Sequence, residues 1–342
     1  MKKLIFYCIA ISVLICTGPL SRAADVNEEE TTEKFIGKAE EKTYKKVETL
    51  REHKRYKTKL LLSAAQGYDN NVFLDPQRKH DTFSEFIIDG SISYPMNGRW
   101  DFYFEASAHD ITYWEATQAN LIDTDLIMGF EGRLPWGITA KAYNDIEMME
   151  YQNNDDGEYV GDKAGLLLKQ KLPNNFFHSF QYEYFYKNYS DRKAFNGWGG
   201  PSDTDRIDHR NTVDYSVGLY MKKAMVKAFG EYFLNRSNDS YLDYYDYESI
   251  KLGSSAIYLL TDKLSAYASF YKQYRHYSGR TIPDDDTTKE RDRGWVAAAS
   301  LYYDITKSAT LGLNYSYRQN KSNNPSQKYS GSLTSMGFYY RF

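Results

Sequence analysis

From Thr58 to Phe342 the chain alternates apolar and polar residues with a period of two, in runs of roughly 11 to 15 residues. Between Trp100 and Asp110, Phe102, Phe104, Ala106 and Ala108 alternate with Asp101, Tyr103, Glu105, Ser107 and His109. Val213, Tyr215, Val217 and Leu219 oppose Asp214, Ser216 and Tyr220 in the same way, and Leu264, Ala266, Ala268 and Phe270 oppose Ser265, Tyr267, Ser269 and Tyr271. Extended backbone places successive side chains on opposite faces, so these runs are strands with one apolar and one polar side. Their length selects the kind of sheet. Strands of soluble domains usually have about five or six residues, whereas a tilted strand crossing a bilayer needs about 9 to 11.

The connections fall into two alternating classes. Tight ones stand at Pro95-Met96-Asn97-Gly98, Pro135-Trp136-Gly137, Pro173-Asn174-Asn175, Lys222-Lys223-Ala224, Thr261-Asp262 and Thr306-Lys307-Ser308. Long ones, rich in Asp, Asn, Gly and Pro, cover 69–82, 114–121, 152–159, 191–210, 239–246, 278–292 and 321–330. Short periplasmic turns and longer extracellular loops are the pattern of outer-membrane barrels. The connections delimit strands at 58–68, 83–94, 99–113, 122–134, 138–151, 160–172, 176–190, 211–221, 225–238, 246–260, 263–277, 293–305, 309–320 and 331–342. The expected fold is therefore all-β: a transmembrane antiparallel up-and-down β-barrel of about fourteen strands. Lipid tolerates no open sheet edge, so the first and last strands are expected to pair.

Residues 1–23 read as a signal peptide for Sec-dependent export, with Lys2 and Lys3, an apolar core from Leu4 to Cys16, and Ser21-Arg22-Ala23 before Ala24. Ile15 stands where a lipoprotein signal wants a small residue. Cys8 and Cys16 both lie inside this segment, so the exported chain is expected to be Cys-free, without disulfides or thiolate metal ligands. Its removal takes three cations and no acid, moving the net charge from -3 to -6. That balance argues against nucleic acid as a partner. Residues 24–57 form a charged periplasmic leader in which Phe35, Ile36, Ala39, Tyr44, Val47 and Leu50 recur at spacings that include helical ones. A solvated leader and a short helix plugging the barrel are the two readings of it. No later stretch supplies the roughly 20 consecutive apolar residues of a membrane helix. Instead 33 Tyr and 5 Trp supply rings suited to a bilayer interface.

The chain ends Met336-Gly337-Phe338-Tyr339-Tyr340-Arg341-Phe342, with Phe338, Tyr340 and Phe342 on one face. This ending resembles the terminal signature that bacterial outer-membrane proteins present to the barrel-assembly machinery, which is the partner it implies together with outer-membrane lipids. The segment Gly67-Tyr68-Asp69-Asn70-Asn71-Val72-Phe73-Leu74-Asp75-Pro76, followed by Asp81, resembles the opening of the β-barrel porin 2 family. That resemblance covers about ten residues and implies an outer-membrane barrel, with an association with exopolysaccharide export. The barrel half of surface-lipoprotein assembly modifiers is also similar, but those carry a helical-repeat periplasmic domain that residues 24–57 are too few to supply.

Function is expected on the inward rows, because the lipid face of a barrel is constrained by hydrophobicity while lumen residues tune selectivity. By alternation the inward set holds Asp89, Asp101, Glu105, Asp125, Glu131, Arg133, Lys141, Asp145, Glu147, Lys169, Glu183, Lys187, Asp214, Lys227, Glu231, Lys251, Arg275 and Arg318. Cross-strand pairing of opposite charges is the plain account of them. The functional account is a constriction whose opposed charges set a transverse field for a small polar solute or saccharide. Tyr103, Tyr220, Tyr267 and Tyr271 point inward as well, either stacking on sugar rings or filling space. A barrel of this size is expected to enclose a narrow channel. The competing readings are a surface adhesive barrel with a closed lumen and an omptin-like protease using Asp203, Asp205, Asp208 and His209. No Ser and His pair makes a phospholipase triad; His178 and His276 stand apart from any such group. Asp284-Asp285-Asp286 and Asp243-Tyr244-Tyr245-Asp246 offer oxygen ligands but lack the spacing of a calcium loop, so neither a metal nor a cofactor is expected.

Overall fold

The computed structural model describes residues 56–153, 157–283 and 285–342, so the expected signal peptide and nearly all of the leader lie outside the described residues. Fourteen strands follow one another: β1 (Lys57–Asp69), β2 (Asp81–Asn97), β3 (Trp100–Tyr113), β4 (Leu121–Arg133), β5 (Ile138–Tyr151), β6 (Tyr159–Lys171), β7 (Phe176–Phe195), β8 (Pro201–Tyr220), β9 (Ala224–Ser237), β10 (Tyr247–Leu259), β11 (Leu264–Ile282), β12 (Asp285–Asp304), β13 (Ala309–Asn320) and β14 (Tyr329–Arg341). Each pairs antiparallel with its neighbours in sequence, and β1 pairs with β14 to close the barrel. The expected up-and-down topology and strand number are those observed. Closure satisfies the backbone groups that an open edge would leave bare in lipid.

At the seam Ser63 faces Tyr339, Ala65 faces Gly337 and Gly67 faces Ser335. Small side chains line this join, and a Cβ on Gly67 would run into the Phe83 ring. The hydrophobic rows all point outward. On β2 these are Phe86, Ile88, Ile92 and Tyr94; on β13 they are Leu311, Leu313 and Tyr315; and every one of them is exposed. Outward apolar residues continue down to the tight turns, at Met96, Leu134, Leu172, Met221, Leu260 and Ile305. Toward the other end the same rows turn polar, at Gln66, Ser84, Asp110, Asn144, Asp162, Asn211, Glu248 and Gln319. An apolar belt bounded in this way is the lipid-facing band of an outer-membrane barrel, about 25 Å tall. Its short-turn end is the periplasmic end.

Two tight turns use the left-handed region at non-glycine residues: Trp136 (φ 61) in Pro135–Gly137 and Asn174 (φ 57) in Pro173–Asn175. Asn accepts that conformation readily, whereas a bulky aromatic does so at a cost.

Two long loops expected from composition are instead strand. β7 and β8 run 20 residues each and leave only 196–200 between them, so most of 191–210 is hairpin. β11 and β12, of 19 and 20 residues, similarly absorb 278–292. Above the belt both faces of these hairpins meet polar surroundings, so neither face need be apolar and the alternation that reveals a membrane strand disappears. Register shifts between Asn188 and Lys193, and between His276 and Thr281, mark where the hairpins bend.

Candidate functional site

The candidate site is the inner wall. Directly opposed residues of an antiparallel pair share a face, so the register assigns every inward position from one strand to the next. Asp101 faces Glu131, which faces Lys141; Asp125 faces Glu147; Asp145 faces Lys163. Glu183 and Lys187 lie on the same row of β7, Asp214 faces Glu231, and Lys251 faces both Glu231 and Gln273. Tyr103, Arg133, Lys227, Tyr267, Tyr271, Arg275 and Arg318 fall on inward rows as well. By register, the charged residues and tyrosines expected to face inward thus share one face of the sheet.

Charge is segregated around that wall. On β2–β5 the inward rows carry Asp81, Glu85, Asp89, Asp101, Glu105, Asp123, Asp125, Glu131, Asp145 and Glu147, against Arg133 and Lys141. On β6–β11 they carry Lys163, Lys169, Lys171, Lys187, Arg210, Lys227, Lys251 and Arg275, against Glu183, Asp208, Asp214 and Glu231. Where the two arcs meet, Lys163 lies 3.4 Å from Asp145 and 3.9 Å from Asp125, and it contacts Glu147 directly. The Tyr159 hydroxyl also donates to Glu147, and the Lys187 ammonium sits 3.9 Å above the Tyr159 ring. Glu147, Lys163 and Lys187 are almost fully buried. Glu131 and Arg133, near the periplasmic turns, are exposed. Lys163 is the central cation of this junction, and inspection of the sequence missed it. The run Leu166-Leu167-Leu168 interrupts the alternation of β6 beside it.

Three tyrosines do not serve the role considered for them. Tyr103, Tyr267 and Tyr271 are buried, so their faces are closed to a sugar ring and they fill space. Tyr103 lies under the Lys141 ammonium at 4.1 Å, and Tyr271 packs with Phe229 and Val296. Tyr220 accepts a hydrogen bond from Lys169 at 2.9 Å. Arg318 is likewise committed. Its guanidinium donates to Asp69 at 2.5 Å in a buried pair, which also makes it a latch across the seam.

That latch is built from the segment resembling the porin 2 opening. Asp69 accepts the Asn71 backbone N–H at 2.8 Å and the Tyr113 hydroxyl at 3.4 Å. The Asn71 amide donates to the carbonyls of Asp75 (2.8 Å) and Ser330 (3.1 Å), and Asn70 exchanges hydrogen bonds with Ser332. Asp81 accepts from the backbones of Thr82, Glu115 and Ala116. Each carboxylate and amide is directed at protein, tying the first extracellular loop to β14 and to the β3–β4 connection.

An aromatic cap stands at the extracellular end. The connection 238–246 lies between the two tall hairpins: Ser240 N–H donates to the Phe195 carbonyl, Ser278 N–H to that of Asp246, and Gly279 passes so close to Leu242 that no Cβ fits. Arg206, held by Asp208 at 2.9 Å, stacks 3.7 Å over Tyr245, and Arg280 lies 4.8 Å over Tyr244. Arg206 and Arg210 escaped the sequence reading because they fell within an expected loop. The protease constellation is not assembled. Asp208 faces inward on Arg206, His209 faces outward on the Tyr184 hydroxyl at 2.6 Å, and Asp205 pairs with Lys193. His178, also outward, bonds Gln170 and Tyr215. His276 lies within β11, opposite Glu248. Among the described residues no group of three His, Cys, Asp or Glu side chains is placed to hold a metal.

No protein-family model and no curated protein matches the sequence. Solved barrels resemble the fold. OmpT, an outer-membrane protein of Vibrio cholerae, aligns over 84% of this chain and 100% of its own, with TM-score 0.47 and 8% identity. An anion-selective porin from Comamonas acidovorans aligns over 84% and 99%, with TM-score 0.44 and 7% identity. Salmonella typhi OmpF aligns over 84% and 98%, with TM-score 0.46 and 11% identity. These are likenesses of architecture. The closed wall and its apolar belt define the class of this chain, an outer-membrane β-barrel protein.

Proposed function

We propose that the barrel is a passive outer-membrane channel for small polar solutes, saccharides included. The observation that supports this is the division of the inner wall into an acidic arc on β2–β5 and a basic arc on β6–β11. A wall that only needed to be wetted would be served by neutral Ser, Thr and Asn. Charges of opposite sign on separate arcs set a field across the lumen, which orients a dipolar solute and replaces part of its hydration. Eight strands leave a filled interior and sixteen to eighteen an aqueous one, so fourteen suit a narrow passage.

A closed, surface-adhesive barrel is the second reading, favoured by the near-complete burial of Glu147, Lys163 and Lys187 in the lumen. Planar-bilayer recording separates the two. The channel reading expects small discrete conductance steps, reduced by added oligosaccharide. Absence of steps, both in the full mature chain and after deletion of residues 25–57, would leave the adhesive barrel.

A further inference from the structure

The outer surface of β11–β13 carries an unusual group of cations at a fixed height. Rising along the outward rows, Phe270, Trp295 and Tyr317 form an aromatic patch, with ring centroids 6.0 Å apart for Phe270 and Trp295 and 4.9 Å for Trp295 and Tyr317. The next outward positions are Lys272, directly opposite Trp295, and Arg293, opposite Tyr274. Arg293 and Lys321 exchange both backbone hydrogen bonds, at 3.2 and 3.0 Å, which sets their side chains next to each other. One step higher, Arg291 faces His276. The four cationic side chains, Lys272, Arg291, Arg293 and Lys321, are exposed.

Among the described residues, Lys272, Arg291, Arg293 and Lys321 enter no ion pair. The nearest outward acid, Glu248, stands opposite His276 and accepts the Tyr232 hydroxyl on its other side. Elsewhere at this height the outward rows hold Ser84, Asp110, Asn144, Asp162 and Thr334, and the cation Arg236 is taken by Asp246 at 2.8 Å. The charge is thus confined to one arc, immediately above an aromatic girdle and above the apolar rows of Leu301, Leu311 and Leu313. Aromatic side chains settle at the boundary between acyl chains and headgroups, which puts these cations at the depth of lipid phosphates. Arginine is the side chain best suited to grip phosphate by two parallel hydrogen bonds.

We infer that the outer face of β11–β13 is a binding surface for the phosphorylated headgroup of an anionic lipid in the outer leaflet, with the acyl chains lying along the apolar rows below. The inference rests on the barrel's place in the outer membrane and not on an open lumen. The substituted residues face away from the lumen, so conductance tests the channel reading separately.

The test uses the full mature chain folded into nanodiscs of phosphatidylcholine doped with bis-phosphorylated lipid A, or with the same lipid after removal of its phosphates. Bound lipid is read by native mass spectrometry, and folding by heat-modifiable gel migration. Wild type is expected to retain phosphorylated lipid A, and K272Q/R291Q/R293Q/K321Q to retain at least ten-fold less. R291K/R293K should retain it, and so should K222Q/K223Q at a periplasmic turn. If the quadruple variant fails to fold, R291Q and R293Q singly should each weaken retention about three-fold. Equal retention by variant and wild type, or retention of the dephosphorylated lipid, overturns the proposal. So does a cation-dependent dimer with unchanged lipid occupancy, which would assign the surface to a second copy of this chain.

Discussion

Lys163 on β6 holds Asp145 of the neighbouring strand β5 at 3.4 Å, and so joins the acidic arc of the lumen to the basic one. It also reaches Glu147 and Asp125, and its own side chain is 3% exposed. Removing one member of a buried ionic group leaves the others desolvated without compensation, at a cost of about 3–5 kcal/mol. K163M should therefore lower the urea midpoint of the folded barrel markedly, and K163M/E147L should recover much of the loss. A K163M midpoint equal to wild type would mean that water, not the ammonium, satisfies these carboxylates.

The Arg318–Asp69 pair tests the latch. Both side chains are buried, at 6% and 0% exposure. D69N and R318M should each destabilise the barrel by about 3–5 kcal/mol, and in a double-mutant cycle the combined variant should cost far less than the sum. Additive losses in unfolding followed by tryptophan fluorescence would show that the two residues act separately.

Selectivity follows from the arcs. Glu105 and Glu131 lie on inward rows of the acidic arc, and neither is among the buried residues. E105Q/E131Q should shift the zero-current potential in a salt gradient toward anions, while K227Q/K251Q should shift it toward cations. No shift in either variant would place the conducting path elsewhere.

The tip of the β11–β12 hairpin carries an acid-sensitive turn. Asp285 accepts the hydroxyls of Thr287 and Thr288, each at 2.6 Å, and the Thr287 N–H at 2.9 Å. These hydrogen bonds hold its carboxyl well below the usual carboxylate range. A depressed native value gives order that is present above the unfolded value, about 3.9, and is lost as pH falls through the native one. Proteolytic nicking at 285–288 should therefore stay slow at pH 5 and accelerate only in strong acid. D285A should be nicked readily throughout.

Trp136 combines a strained backbone, φ 61, with a ring 85% exposed at the periplasmic rim. A non-glycine residue in the left-handed region costs about 1–3 kcal/mol, and an interfacial tryptophan anchors a barrel in the bilayer. W136G should raise stability in detergent and lower it in lipid vesicles. A change of the same sign in both media would remove the anchoring role.

The belt, the strand number and the closure were legible because lipid outside and water inside force period-two alternation on every spanning strand. The β7–β8 and β11–β12 extensions were not, since they leave that environment and carry sequences such as Ser202-Asp203-Thr204-Asp205 and Thr287-Thr288-Lys289-Glu290. Inward facing was legible at Asp101 and Glu183, but accessibility was not. Whether Tyr267 meets solvent or packs on Tyr302 and Tyr339 depends on strands distant in sequence. The segment Asp69-Asn70-Asn71 was noticed as a resemblance, and its task became visible only when its partners, Tyr113, Arg318, Ser330 and Ser332, came together.

Asp69 and Arg318 are separated by 249 positions in the chain. A nascent polypeptide cut short anywhere before Arg318 lacks the counter-ion for its earliest strand, whatever else it has folded. The buried carboxylate at the end of the first strand is thereby neutralised only once the penultimate strand has been laid down, which couples the start of the wall to its completion.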